Sequence, residues 1–310
     1  MVTRNLGASR CDTLHRMNAS RFIIAFVFAS GALLPASAQV FTFTHEQMVE
    51  YTAQNPFGRF EDGRPNVPDE LLDKCKELSA EEVWSVLPGA KFPNQYEGNW
   101  HILHPEHRLV GRAVTAQFMP YRPDVAEVAE AQARSKGLGH NGNQRLIDTL
   151  KPGDVLVVDL FGKIESGTIV GDNLATAIYG ATKAGLVVDG AIRDLDGIFE
   201  IPMGLYYRGV HPTPIGQVML TGYNIPIRIG GTTVVPGDVV FGDREGVYFI
   251  PPNLVKKILD DADVTHIHDE WTKMKLNSGK YKSSDIYPSP RDPALKQEYD
   301  EYLKKRLGKK

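Results

Sequence analysis

Cysteine is nearly missing: the 310 residues contain only Cys11 and Cys75. A disulfide scaffold and a cysteine-built zinc module are therefore excluded. An excess of basic charge is missing too. With 35 Lys and Arg against 38 Asp and Glu, the formal net charge is −3, which does not suit a phosphate backbone and argues against a nucleic-acid partner. The chain also lacks a long apolar run. The best candidate, Phe22 to Leu34, is shorter than the roughly 18–20 residues of a comfortable membrane span. No internal repeat is visible. What is present, 42% hydrophobic and 24% charged residues, is the composition of a globular chain that can bury its own core.

The first forty residues differ from the rest. Arg21 precedes the apolar run, and Pro35 and Ala36-Ser37-Ala38 follow it. Basic residue, apolar stretch and small-x-small site together predict a secretory leader spanning 1–38, with Met17 an alternative start. Removing its four arginines and one aspartate from the totals gives a mature net charge of −6. Cys75 would then have no intrachain partner. The expected protein is exported, periplasmic or secreted, with no stable membrane span after cleavage.

Beyond the leader, residues 39–70 read as an irregular extension. Ser79 followed by Glu82 predicts a capped helix start, and Arg108 to Met119 alternates as a strand. "DVAEVAEAQARSK" reads as a helix and "GLGHNGNQR" as a loop. Gly137, Gly139 and Gly142 in that loop spell G-x-G-x-x-G, but they follow a charged helix rather than a strand, so a dinucleotide site is not expected. From Pro152, "GDVLVVDL", "LATAIYGATKA" and "GLVVDG" give strand, helix and strand, the order of a parallel crossover. Residues 253–276 return to helix. The Lys-rich tail, 277–310, reads as loose until a last amphipathic turn. The expected architecture is a single α/β domain, 71–276, with an N-terminal extension and a helical C-terminal arm.

That crossover places Asp172 in the loop after its first strand and Arg193-Asp194 in the loop after its second. Loops at the carboxyl ends of neighbouring parallel strands converge on one crevice. A carboxylate such as Asp194 suits Mg²⁺ or Mn²⁺, which prefer oxygen ligands and keep waters. A guanidinium such as Arg193 grips a carboxylate or keto oxygen with a planar fork. The amides of Asn173 and Leu174, at a helix start, favour an anionic group. Together these would seat a 2-oxo acid. On spacing alone, a helix cap at Asp172 and a solvated turn at Arg193-Asp194 are the commoner explanation, because capping aspartates are so frequent.

"GDNLATAIYGATKAGLVVDGAIRD" resembles the Asp-x20-Arg-Asp signature of class II pyruvate aldolases. These are the 4-hydroxy-4-methyl-2-oxoglutarate aldolases and their relatives, including regulators of ribonuclease activity A. "PGDVLVVDL", "IPMGLYYRGVHPTP" and "VVPGDVVFGDREGVYFIP" extend the likeness over about Leu71 to Leu276. The resemblance implies a β/β/α swivelling-domain-like sandwich assembled as homotrimers or hexamers, with active sites between subunits. It implies a divalent cation on Asp194 and its waters, Arg193 on the pyruvyl group, and Asp172 positioning a water for proton transfer. Gly171, Asn173 and Leu174 would line the substrate, and Glu270 is the nearest match to an acid supplied by a neighbouring subunit. The activity implied is retro-aldol cleavage or β-decarboxylation of a 2-oxo acid, with a non-catalytic regulator on the same scaffold as the alternative. The leader and the long extension depart from the family pattern and leave the substrate open.

His101, His104 and His107 read as loop histidines without a cysteine partner. His266 and His268, two apart on a helix, face different directions. Asp243 in "GDREG" reads as a turn residue.

Overall fold

The computed structural model describes residues 41–135 and 142–308, all within one compact unit, Ser37–Lys310. The expected leader lies outside the described residues, as do Gly137 and Gly139. No helix among the described residues is long and apolar enough to cross a membrane.

The segment before residue 71 is ordered by the rest of the chain. Helix α1 (His45–Tyr51) opens with a capping box, Thr44 and Gln47 bonding reciprocally. Strands β1 (Gly58–Arg59) and β2 (Pro65–Asn66) form a short antiparallel pair. Between them Arg64 extends its fork onto Asp154, at 2.8 and 3.1 Å. Both side chains are nearly inaccessible, 3% and 0%. Removing one partner of such a buried pair costs on the order of 3–5 kcal/mol, so the extension is part of the domain and not an appendage. Sequence periodicity misses this because the ties are long-range: this ion pair, the backbone bonds of Phe41 to Thr221 and Tyr223, and the Asn224 amide on Asp62. Helix α2 (Asp69–Cys75) follows. Helix α3 (Ala80–Val86) then begins at the expected Ser79–Glu82 box.

Next come β3 (Tyr96–Glu97), β4 (His101–Leu103) and the long β5 (Leu109–Pro120). Helices α4 (Pro123–Ser135) and α5 (Gly142–Ile147) follow, so Gly142, expected in a loop, opens a helix. Strand β6 (Asp154–Thr168), helix α6 (Asp172–Thr182) and strand β7 (Gly185–Ile192) realise the predicted crossover, with β6 and β7 parallel. Helix α7 (Leu195–Phe199) leads to β8 (Gly204–Val210), also parallel to β7. Strands β9 (Val218–Tyr223), β10 (Ile227–Ile229), β11 (Thr232–Val234), β12 (Val239–Gly242) and β13 (Val247–Ile250) complete the β-structure.

Nine strands form one mixed sheet in the order β3-β13-β12-β5-β6-β7-β8-β4, with β9 pairing the far end of β5. Strands β5 to β8 are its parallel centre. Every residue of β7 is buried, which is why its sequence is apolar on both faces rather than alternating, with Asp189 the exception, paired with Arg208. Ile147, Ala175, Ile178 and Ile198, from α5, α6 and α7, pack on one face of the sheet. Ile227, Ile229 and Val234, from the β10–β11 hairpin, pack on the other. The result is a mixed α/β fold with hairpin, sheet and helices in layers, as expected.

Helix α8 (Val255–Asn277) packs on α3 and the β12–β13 pair through Ile258 and Ala262. The tail is not loose. Helix α9 (Ser283–Ile286) and the fifteen-residue α10 (Pro293–Leu307) return along α8. The ties are the ion pairs Lys275 to Glu298 and Arg306 to Glu270 and the ring of Tyr299 on Trp271 and His268, too few apolar positions for a hydrophobic pattern to reveal the docking.

Candidate active site

Two loops leave the parallel centre of the sheet side by side. Ile169 N–H donates to the Ala191 carbonyl at 3.0 Å, and Arg193 N–H to the Val170 carbonyl at 3.1 Å. The chain is therefore still paired when it reaches Gly171 on one strand and Arg193 on the other. A Cβ on Gly171 would lie 2.2 Å from Asp194 Oδ2 and 3.2 Å from Arg193 Nε. Only glycine lets the loops meet this closely.

Asp194 holds a left-handed backbone, φ 59°, which Asp tolerates better than most residues. It caps α7, and its carbonyl accepts from Ile198 N–H at 3.0 Å. Its carboxylate is therefore free of the capping duty and turns toward Gly171. Arg193 Nε lies 3.6 Å from Asp194 Oδ2, with the two side chains 41% and 42% exposed. At that exposure the pair contributes little to stability.

Asp172 is the first residue of α6, with Gly171 as the N-cap. Asp172 Oδ1 accepts from the Asn173 N–H at 2.7 Å, so the Asn173 amide, expected to be free, is engaged. The Leu174 N–H lies in the first turn, where helix geometry supplies no intrahelical acceptor. Asp172 Oδ2 lies over Gly197 of α7, within 2.8 Å of where a Cβ would stand. The predicted constellation of Gly171, Asp172, Leu174, Arg193 and Asp194 is thus brought together. Three cavities, of about 340, 540 and 440 Å³, are lined by none of these residues. The half-exposed side chains of Arg193 and Asp194 leave the site open to solvent.

Glu270 is elsewhere. On α8 it accepts from the Tyr302 hydroxyl at 2.8 Å and pairs with Arg306 at 2.8 Å. Asp243 behaves as the expected turn residue, accepting from Glu245 N–H at 2.8 Å. Two residues that sequence reasoning passed over support the loops. Asn143 donates its amide to the Ile169 carbonyl at 2.9 Å, and His211 N–H donates to the Ile192 carbonyl at 3.1 Å. Neither carries a local signal, since each acts through a backbone contact distant in sequence.

The donor set at Asp194 suits a hard cation. One half-exposed carboxylate, beside a glycine that leaves room, matches Mg²⁺ or Mn²⁺, which retain several waters and need few protein ligands. No imidazole or thiolate is among the residues that meet here, so nothing selects a softer metal.

Residues 85–249 match the model of the family described as RraA-like, Aldolase/RraA. Protein DlpA of Legionella pneumophila is 26% identical over 173 residues, 56% of this chain and 26% of that protein. A Halalkalibacterium halodurans protein provisionally named 4-hydroxy-4-methyl-2-oxoglutarate aldolase is 34% identical over 143 residues, 44% of this chain and 68% of that one. The chain thus spans only about a quarter of the Legionella protein. The crystal structure of Streptomyces coelicolor RraAS2, described as an unusual member of the RNase ES inhibitor RraA protein family, superposes with a TM-score of 0.58 at 27% identity. It covers 68% of this chain and 100% of its own.

Proposed function

The chain belongs to the Aldolase/RraA family, and from that membership and its site we propose that it is a divalent-metal-dependent carbon–carbon lyase acting on a pyruvyl-containing 2-oxo acid. The observation that carries the reading is the contact of Gly171 with Asp194 Oδ2. A capping aspartate and a solvated turn pair have no need of a glycine-wide gap between them.

Arg193 grips the carboxylate and keto oxygen of the substrate through its fork. The Leu174 N–H and the positive end of α6 face the same anionic end. Asp194 would hold Mg²⁺ or Mn²⁺ together with waters, and the cation would supply charge stabilisation at the keto oxygen. In retro-aldol cleavage the C4 hydroxyl loses its proton and the C3–C4 bond breaks with its electron pair left on C3. A proton then returns to C3 and gives pyruvate. Asp172, held by the bond its Oδ1 accepts from the Asn173 N–H, positions the water that relays these protons. β-Decarboxylation uses the same site, with CO₂ leaving in place of the aldehyde or ketone.

The exposure of Arg193 and Asp194 supports an assembly in which a neighbouring subunit covers the site, a homotrimer or a hexamer, testable by light scattering. The leader residues support export, testable by mass spectrometry of the N-terminus from a fractionated host. The deciding assay follows pyruvate release from oxaloacetate and from 4-hydroxy-4-methyl-2-oxoglutarate, coupled to lactate dehydrogenase, with and without Mg²⁺. Metal-dependent pyruvate supports the lyase. Its absence with both substrates, in a folded protein, favours a binding role on the same scaffold.

A further inference from the structure

At the opposite end of the parallel strands lies a second cluster of metal-ligating side chains. His104, Glu106 and His107 occupy the turn between β4 and β5, and one ligand atom from each lies within 4.8 Å of the others. His104 Nδ1 stands 3.1 Å and His107 Nε2 3.6 Å from the same oxygen, Glu106 Oε1. Around a tetrahedral ion with bonds of roughly 2.0–2.1 Å, donor atoms sit about 3.3 Å apart. The two measured separations bracket that value.

The turn is built rather than incidental. His104 has a left-handed backbone, φ 58°, an uncommon conformation for a residue with a side chain. Its carbonyl accepts from the His107 N–H at 2.9 Å, closing the turn. Its ring packs on Phe199 of α7, with centroids 4.9 Å apart. Arg244 Nε donates to the Pro105 carbonyl at 3.1 Å and fixes the turn from the other side. Only 11% of the His104 side chain is exposed, while Glu106 and His107 are 53% and 54% exposed. One donor is thus rigid and two are reachable from solvent, an open coordination shell. His101, the third histidine of the segment, is not part of it, because its ring stacks on Tyr207.

We propose that His104, Glu106 and His107 form a transition-metal site whose occupant is Zn²⁺, with water completing its coordination. Two imidazoles and a carboxylate are a zinc donor set, whereas the single carboxylate at Asp194 is a Mg²⁺ or Mn²⁺ donor set. The two sites therefore differ in metal as well as in place, and the zinc site does not depend on the lyase reading. Because Phe199 belongs to the helix that begins at Asp194, zinc on the turn also braces α7.

The test is calorimetric titration of the full chain with Zn²⁺ under saturating Mg²⁺, which occupies any hard-cation site. One Zn²⁺ per chain is expected. Glu106→Gln with His107→Ala, both exposed, should weaken binding at least tenfold while leaving the melting temperature of the metal-free protein and the Mg²⁺-dependent activity unchanged. His101→Ala should bind as the wild type does. Co²⁺ should give visible ligand-field absorption that the double variant lacks. The proposal is overturned if the wild type takes up no Zn²⁺, if the double variant binds it equally well, or if uptake disappears in Asp194→Asn instead.

Discussion

Gly171 and Asp194 touch so closely that a methyl group on the first would occupy the place of a carboxylate oxygen of the second, 2.2 Å away. Gly171→Ala therefore probes the site without altering any charged group. The backbone of Gly171, at φ −111°, accepts alanine without strain, so folding should survive. The Asp194 carboxylate must swing away. The expected result is at least about a tenfold loss of kcat/KM, 1.4 kcal/mol of transition-state stabilisation, with a raised Mg²⁺ requirement. Unchanged Mg²⁺ dependence would mean that the contact has no bearing on the metal.

Asp194→Asn removes the anionic ligand and keeps the shape. Asparagine accepts the left-handed backbone about as readily as aspartate, and the Asp194 side chain makes no cap bond to α7. Stability should change by under about 0.5 kcal/mol. Metal-stimulated turnover should vanish. Wild-type turnover at saturating Mg²⁺ would remove Asp194 from the metal site.

Arg193→Lys keeps the charge and loses the fork. Lysine cannot make the paired contact with a carboxylate and its neighbouring oxygen. The drop in kcat/KM should exceed about tenfold, carried mainly by KM if the fork binds ground state and transition state alike. Retention of more than a tenth of the activity would reduce Arg193 to a point charge.

Much of this site was legible because it is local twice over. Asp172 follows a strand and opens a helix, and Arg193-Asp194 follows the adjacent strand; register then places them together. The buried run of β7 and the box at Ser79 and Glu82 were legible for the same reason, since each rests on neighbours in sequence. What stayed hidden depends on distant partners. Arg64 meets Asp154 across ninety residues of chain, and His104 owes its setting to Phe199 and Arg244. The docking of α10 rests on Glu270, Lys275 and their partners, which in sequence are ordinary surface charges, and on the single ring of Tyr299 against Trp271. The engaged Asn173 amide was hidden too, because a carboxylate's rotamer is not written in its spacing.

Glu270→Gln separates two uses of one carboxylate. Within the chain it braces α10 through Tyr302 and Arg306. These groups are 39% and 43% exposed across the Arg306 pair, so the ion pair is worth about 0–1 kcal/mol. The variant should loosen α10, seen as faster proteolysis of the last helix, and keep wild-type kcat. A collapse of kcat with α10 still protected would instead assign Glu270 to a neighbouring subunit's site.

Asp238 predicts how stability responds to pH. It is buried at 4% exposure, its Oδ2 accepts from Val235 N–H at 2.8 Å, and burial pushes its pKa up to about 7. A carboxyl raised in the folded state binds its proton more tightly there than when unfolded. Its contribution is therefore fully present below about pH 4, falls between about pH 4 and 7, and is lost above. Asp159, raised by burial as well, adds a slope of the same sign, so the wild-type trend alone does not isolate Asp238. Asp238→Asn does. The amide oxygen still accepts from Val235, and no charge is buried at any pH. The variant should match the wild type near pH 4 and exceed it at pH 8 by at least about 1 kcal/mol, a rise of roughly 2–4 °C in Tm for a chain of this size. Thermal melts of both proteins across that range decide it. Parallel curves would mean that Asp238 titrates at its ordinary value despite its burial.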